Sequence, residues 1–147
     1  MRAKAANKPA DCNCFAIRSA ARHVSQLYDQ LLAPIGLRTT QFSILAHLKR
    51  GPRTINVLAQ EMAMDRTTLG RNILPLERDG LITTETAPFD RRAKVLRLTM
   101  AGEDRFRAAR HCWTDAQARF EATFGTKRAA NLRSLLRAVV ATRFDAT

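Results

Sequence analysis

Three groups of side chains in this sequence have the types and spacing to do chemistry. The first is the run Asp65-Arg66-Thr67-Thr68-Leu69-Gly70-Arg71-Asn72. Leu69, Ile73 and Leu76 recur at helical steps, so the opposite face presents Thr67 and Arg71, with Thr68 and Gly70 at its flanks and Arg66 and Asn72 in support. Short hydroxyls near a helix N-terminus bond phosphates or base edges, and an arginine makes a bidentate contact to guanine. The second group is Asp90-Arg91-Arg92-Ala93-Lys94. Arg91, Arg92 and Lys94 are close enough to reach adjacent phosphates or a narrow minor groove. Asp90 would repel phosphate, so its expected use is to orient an arginine through a charge-assisted bond. The third group is Cys12 and Cys14, with Cys112 far along the chain. A thiolate attacks a peroxide to give a sulfenic acid, which a second thiol can trap. Each group also has a plainer reading: an ordinary helix face, a solvated loop, and thiols that are inert or merely exposed.

These residues need elements to position them. From Phe15 to Leu32 apolar residues recur in steps of three and four, which predicts one helix, ended by Pro34 and Gly36. A second helix is expected from about Thr40 to Leu48, stopping at Gly51-Pro52. Thr54 can cap a third, with Ile55, Leu58, Ala59 and Met62 as its stripe, and Asp65 a fourth, which Gly80 ends in a left-handed turn. Pro75 removes a hydrogen bond inside that fourth helix and reads as a tolerated kink. Leu81 to Thr86 and Val95 to Leu98 read as two strands joined by a turn at Pro88 and Asp90. Two long helices follow from Ala101, broken near Gly125. The expected class is mainly α with a small β-hairpin wing (α+β).

The 147 residues suit one domain with a buried core, residues 1–10 forming a polar, mobile tail. The net charge of +12 points to a polyanionic partner, most simply nucleic acid. No apolar run approaches the roughly 20 residues of a membrane span, and no signal peptide is visible, so the expected location is the cytoplasm, with no membrane partner. Three cysteines make no disulfide framework. Cys12, Cys14, His23, His47, His111 and Cys112 match no closed zinc pattern, so neither a metal nor a cofactor is expected. No phosphate-cradling glycine loop and no acid/base carboxylate pair is evident, and the chain reads as a non-enzyme. A thiol peroxidase is the competing class, and an architectural DNA binder without sequence readout is another. If Arg71 reads a base, Arg71→Ala should cost about 1–3 kcal/mol, mainly on the specific site rather than on all DNA.

Taken together, Leu58-Ala59, the capped helix from Asp65, Leu76-Glu77-Arg78-Asp79-Gly80-Leu81-Ile82, Asp90-Arg91-Arg92 and Leu98-Thr99-Met100-Ala101-Gly102 resemble the winged-helix core of the MarR family of bacterial transcription regulators. The resemblance covers nearly the whole chain. It implies a winged helix-turn-helix DNA-binding lobe over 37–100 and dimerisation helices over 11–36 and 101–147. It also implies a homodimer on a palindromic, double-stranded operator, usually as a repressor. The last helices carry Phe106, Trp113, Phe120, Phe124, Leu132, Leu135, Leu136, Val139, Val140 and Phe144, more apolar surface than one small core needs.

The first helix adds a narrower resemblance. Cys12-Asn13-Cys14-Phe15-Ala16, then Ser19-Ala20-Ala21-Arg22 and Leu27-Tyr28, is similar to the organic-hydroperoxide-sensing branch of the family. This implies that Cys14 is the peroxide-reactive thiol and that Tyr28 is one of two tyrosines hydrogen-bonding its sulfur. The second tyrosine position is matched to Arg18, and the chain has one tyrosine only. Cys12 and Cys112 are the candidate resolving thiols. The alternative effector is an aromatic or phenolic acid in a cleft between the lobes, with Arg18, Arg22, Tyr28, His47 and Trp113 as candidate lining residues.

Overall fold

A computed structural model describes residues 8–145; residues 1–7, most of the expected tail, lie outside the described residues. Six α-helices and three short strands follow in the order α1 (Asn13–Leu32), α2 (Thr39–Lys49), β1 (Arg53–Thr54), α3 (Ile55–Glu61), α4 (Arg66–Arg78), β2 (Ile82–Ala87), β3 (Asp90–Leu98), α5 (Met100–Phe124) and α6 (Thr126–Ala141). The fold is mainly helical with an antiparallel sheet of order β1-β3-β2. The sequence reading missed β1. It is two residues long and exists only through its pairing with β3, Arg53 opposite Leu96 and Thr54 opposite Val95.

Local chemistry explains most of the boundaries. The α1 helix runs on into a 3-10 turn (Ala33–Ile35) that ends at a left-handed Gly36 (φ 75), where the Leu37 amide donates to the Leu32 carbonyl at 3.4 Å and both leucines are buried. The same motif ends α4. There the Gly80 amide (φ 72) donates to Glu77 and the Leu81 amide to Leu76, both at 2.9 Å, with Leu76 and Leu81 buried together. Between α3 and α4 the left-handed residue is Ala63 (φ 50), whose neighbour Met64 donates to the Ala59 carbonyl at 2.9 Å. The core joins the helices to the sheet through Leu32, Ile44, Leu45, Leu58, Leu69, Leu76, Leu81 and Leu96, all fully buried. Burying one such side chain contributes about 1.5–3 kcal/mol.

The start of α4 carries a charged cap. Asp65 Oδ1 accepts from the Thr68 amide at 2.8 Å, and Oδ2 accepts from the Thr68 hydroxyl at 2.7 Å. The Thr68 hydroxyl bond and then its amide bond hold the Asp65 carboxyl below its ordinary value of 3.8. Its contribution to stability is therefore complete above that value and is lost as pH falls through the lower folded-state value. Melting temperatures of wild type and Asp65→Asn, which caps without titrating, should differ by a constant amount above about pH 5, and the gap should shrink below it.

Candidate nucleic-acid interface

The α4 helix turns Leu69, Ile73 and Leu76 into the core and leaves Arg66, Thr67, Thr68 and Arg71 exposed. Nothing lies within 4 Å of where a Gly70 side chain would begin, so that flank is open. Not all of the polar groups are free. The Thr68 hydroxyl serves the Asp65 cap, and half-buried Asn72 donates from Nδ2 to the Thr68 carbonyl at 2.9 Å. Arg66, Thr67 and Arg71 remain outward, and one turn further on Leu74 is also exposed.

The hairpin of β2 and β3 stands beside α4. The expected basic tip is not a loop: β3 begins at Asp90, so Arg91, Arg92 and Lys94 are strand residues. The register shifts here: Lys94 pairs with Thr86 and Asp90 with Ala87, so Arg91 and Arg92 lie in an irregular stretch of β3 where the regular alternation of side chains is broken. Arg91, Arg92 and Lys94 are all exposed. Asp90 does not orient a guanidinium as expected; its Oδ1 accepts from the Arg92 backbone amide at 2.9 Å, which shapes the turn instead. The turn itself is Pro88-Phe89.

The thiols are dispersed. Cys12 is the N-cap of α1, its Sγ accepting from the Phe15 amide at 3.4 Å. Cys14 lies in the first turn and is exposed, whereas Cys112 packs against the core. Tyr28 is fourteen residues along α1 from Cys14, about 21 Å at 1.5 Å per residue, so the two do not meet within one protomer. The α5 helix runs alongside α1: Gln117 meets the Tyr28 hydroxyl, and Arg105 Nη1 donates to the Ile35 carbonyl at 3.2 Å. Cys112 thus lies beside the C-terminal part of α1, about 20 Å or more from Cys14, far beyond the roughly 7 Å between Cα atoms that a disulfide tolerates.

The expected ligand cleft is not assembled as drawn. Arg18 and Arg22 are exposed, His47 is tied by Nδ1 to the Ser43 carbonyl at 2.7 Å, and Trp113 stacks on Phe42 with ring centroids 6.0 Å apart. Phe106 stacks on the same ring at 5.3 Å, so Phe106 and Trp113 belong to the core rather than to a partner surface. Of the five residues Tyr28 lines a groove of about 630 Å³ between α1, α5 and α6, and the other four are not among its walls. Its walls include Ala20, Val24, Phe120 and Leu132, and its polar groups include Tyr28, Gln117 and Arg133. The sequence reading missed Gln117 and Arg133, because only folding brings them to Tyr28.

The Tyr28 hydroxyl donates to Gln117 Oε1. Burial, with the Glu121 carboxylate adding to it and Arg133 opposing, holds its pKa above the ordinary 10.0. A raised folded-state value means that its contribution to stability is present below 10.0 and is lost as pH rises through the higher value. Tyr28 is the only tyrosine, so an absorbance titration reads it directly. It should ionise late, later still in Arg133→Leu and earlier in Glu121→Gln.

Among the described residues no cluster of three or more His, Cys, Asp or Glu is placed to hold a metal, and no helix is long and apolar enough to cross a membrane.

A model of the MarR family matches residues 35–93, from the end of α1 into β3. The transcriptional regulator MosR of M. tuberculosis, solved in complex with DNA, is 35% identical over 91% of this chain and 100% of its own, with a TM-score of 0.79. The chain belongs to the MarR family. It is a DNA-binding transcriptional regulator of the MarR type and not an enzyme. The transcriptional repressor CouR, bound to a 23-mer DNA duplex, is similar at 25% identity over 90% of this chain and 95% of its own, with a TM-score of 0.79. CouR from Rhodococcus jostii RHA1, bound to p-coumaroyl-CoA, shares the fold at 19% identity, covering 96% of this chain and 100% of its own, with a TM-score of 0.77. In this MarR-family chain the matched span contains α4 and the start of the basic strand of the wing.

Proposed function

We propose that this chain is a homodimeric repressor that binds a palindromic operator in the cytoplasm and leaves it when Cys14 is oxidised. In this reading Thr67 and Arg71 contact bases, and Arg66, Thr68 and Asn72 position α4. Arg91, Arg92 and Lys94 grip the flanking backbone or minor groove. The observation that carries it is the exposed Thr67–Arg71 face of α4, held outward by buried Leu69, Ile73 and Leu76 beside an exposed basic strand. Residues 37–100 form the DNA-binding lobe, and 11–36 and 101–147 the dimerisation region. Support for the dimer comes from the apolar side chains that α1, α6 and the residues after α6 leave exposed, among them Phe15, Leu135, Val140 and Phe144.

Oxidation is a two-electron step. The Cys14 thiolate sulfur takes the terminal oxygen of a hydroperoxide, the O–O bond breaks, and the leaving alkoxide picks up a proton as an alcohol. Condensation of the sulfenic acid with a second thiol then releases water. Cys112 of the same protomer is too distant and Cys12 would close a cramped ring, so that thiol comes from outside the protomer. Tyr28 also reaches a Cys14 sulfur only across a dimer. The test is operator affinity, on the promoter beside its own gene, with and without cumene hydroperoxide. Wild type should weaken by about 10- to 100-fold and Cys14→Ser should not respond. Equal affinity with and without peroxide in wild type would sink the thiol switch.

The groove favours a second reading, release by an aromatic acid. Its walls are apolar, and Arg133 and Tyr28 offer a cation and a phenol to one carboxylate. Peroxide-indifferent binding that salicylate weakens, with the response lost in Arg133→Leu, would select it.

A further inference from the structure

One exposed side chain that the DNA-binding reading leaves unused is Phe89. It is 81% exposed at the far end of the wing. Pro88 and Phe89 are the two-residue turn between Ala87 and Asp90, which pair with each other across the hairpin. The turn is held on both sides. Ala87 is buried, Asp90 Oδ1 accepts from the Arg92 amide at 2.9 Å, and the Pro88 ring fixes its own φ. A large aromatic ring is thus presented on a stiff tip, followed by Asp90, whose carboxylate is engaged by the Arg92 amide, and then by Arg91, Arg92 and Lys94.

Those cations decide what can meet the ring. The tip carries Arg91, Arg92 and Lys94 against the single carboxylate of Asp90, a net positive charge that favours a polyanion over an apolar protein face. DNA offers phosphate to the arginines and, between its strands, stacked bases to the phenyl ring. Proteins that enter the minor groove combine these two contacts, with arginine in the groove and an apolar wedge against a base step. We propose that Phe89 is a DNA-contacting wedge, which enters the minor groove beside the Arg91–Arg92 grip and partly unstacks one base step. The proposal rests on the wing gripping DNA. It adds a residue that favours flexible pyrimidine–purine steps under the wing, at a position no base-reading side chain of α4 touches.

The test uses the full chain and the tightest duplex it selects from random DNA, with 2-aminopurine placed in turn at each step flanking the α4 contact. Wild type should raise the emission at one step. Phe89→Ala should abolish that rise and weaken binding by about tenfold, and Phe89→Leu should keep part of both, since leucine also serves as a wedge. Phe89 is outside the core, so unchanged melting temperatures are expected and check that the variants fold. Wild-type affinity and emission in Phe89→Ala would overturn the proposal. So would a change in assembly mass without a change in DNA affinity, which would assign the ring to a protein contact. Arg91→Ala/Arg92→Ala separates the two levels. If it weakens binding while Phe89→Ala does not, only the wedge falls; if it too is silent, the grip of the wing falls with it.

Discussion

Gly102→Ala is expected to destabilise the protein by about 3 kcal/mol, more than the same change at any other glycine of this chain. Gly102 is buried in the first turn of α5, where helix meets wing. A Cβ there would overlap the Leu81 carbonyl oxygen and lie 3.0 Å from Leu98 Cδ2. The first of these is backbone and cannot swing away. It is also in use, because the Leu81 carbonyl accepts from the Thr99 amide at 3.1 Å. The Thr99 hydroxyl donates to the Gly80 carbonyl at 2.6 Å and accepts from the Gly102 amide at 3.0 Å. The end of α4, the base of the wing and the start of α5 therefore share one knot of hydrogen bonds, and the added methyl must force it open. The same change at Gly70 is the control. That helical site has open space, so alanine there should stabilise by about 0.5–1 kcal/mol. Urea denaturation of both variants at one fixed protein concentration checks the pair. A Gly102→Ala protein as stable as wild type would mean that α5 does not approach the wing this closely.

Leu135→Lys/Val140→Lys should convert the proposed dimer into a folded monomer and weaken operator binding by about 100- to 10,000-fold, the range by which linked heads exceed single ones. Leu135 and Val140 are 67% and 68% exposed in the protomer, so the core loses nothing. In a dimer formed by α1 and α6 the new ammonium groups would be buried without partners, which is far costlier than the lost apolar contact. Sedimentation gives the mass and anisotropy the affinity, and the variant should still melt cooperatively. A dimeric double variant that binds the operator as wild type does would move the interface away from α6.

The parts of the site that were legible in the sequence are those whose causes are local. The α4 helix announces itself through the Asp65 cap, the Leu69–Ile73–Leu76 stripe and the left-handed Gly80, all within sixteen residues. The turn before it carries no such mark, because Ala63 takes a backbone conformation that usually signals glycine. The wing was visible as a β-rich stretch, but the start of its second strand was misplaced, at Val95 instead of Asp90. Arg91, Arg92 and Lys94 look like loop residues in sequence and become strand only because β2 pairs on either side of them, Thr86 with Lys94 and Ala87 with Asp90. Nor does composition say where an acceptor points, and Asp90 bonds a backbone amide rather than a guanidinium. The groove was out of reach for a different reason. Tyr28 and Gln117 are 89 residues apart, and the aromatic face of Trp113 that suggested a ligand is spent on Phe42.

The α5 helix has 25 residues, a rod about 37 Å long. One end is tied to the wing and α4 through Thr99 and Gly102; towards the other, Gln117 meets Tyr28 and Phe120 walls the groove. Such a rod acts as a lever. Tilting it by about 5° about its far end would carry the near end, and the reading helix attached to it, through about 3 Å. That is close to the 3.4 Å rise of one base pair. A disturbance at the groove too small to melt any helix would thus be enough to put Arg71 out of step with the base that the proposed function assigns to it.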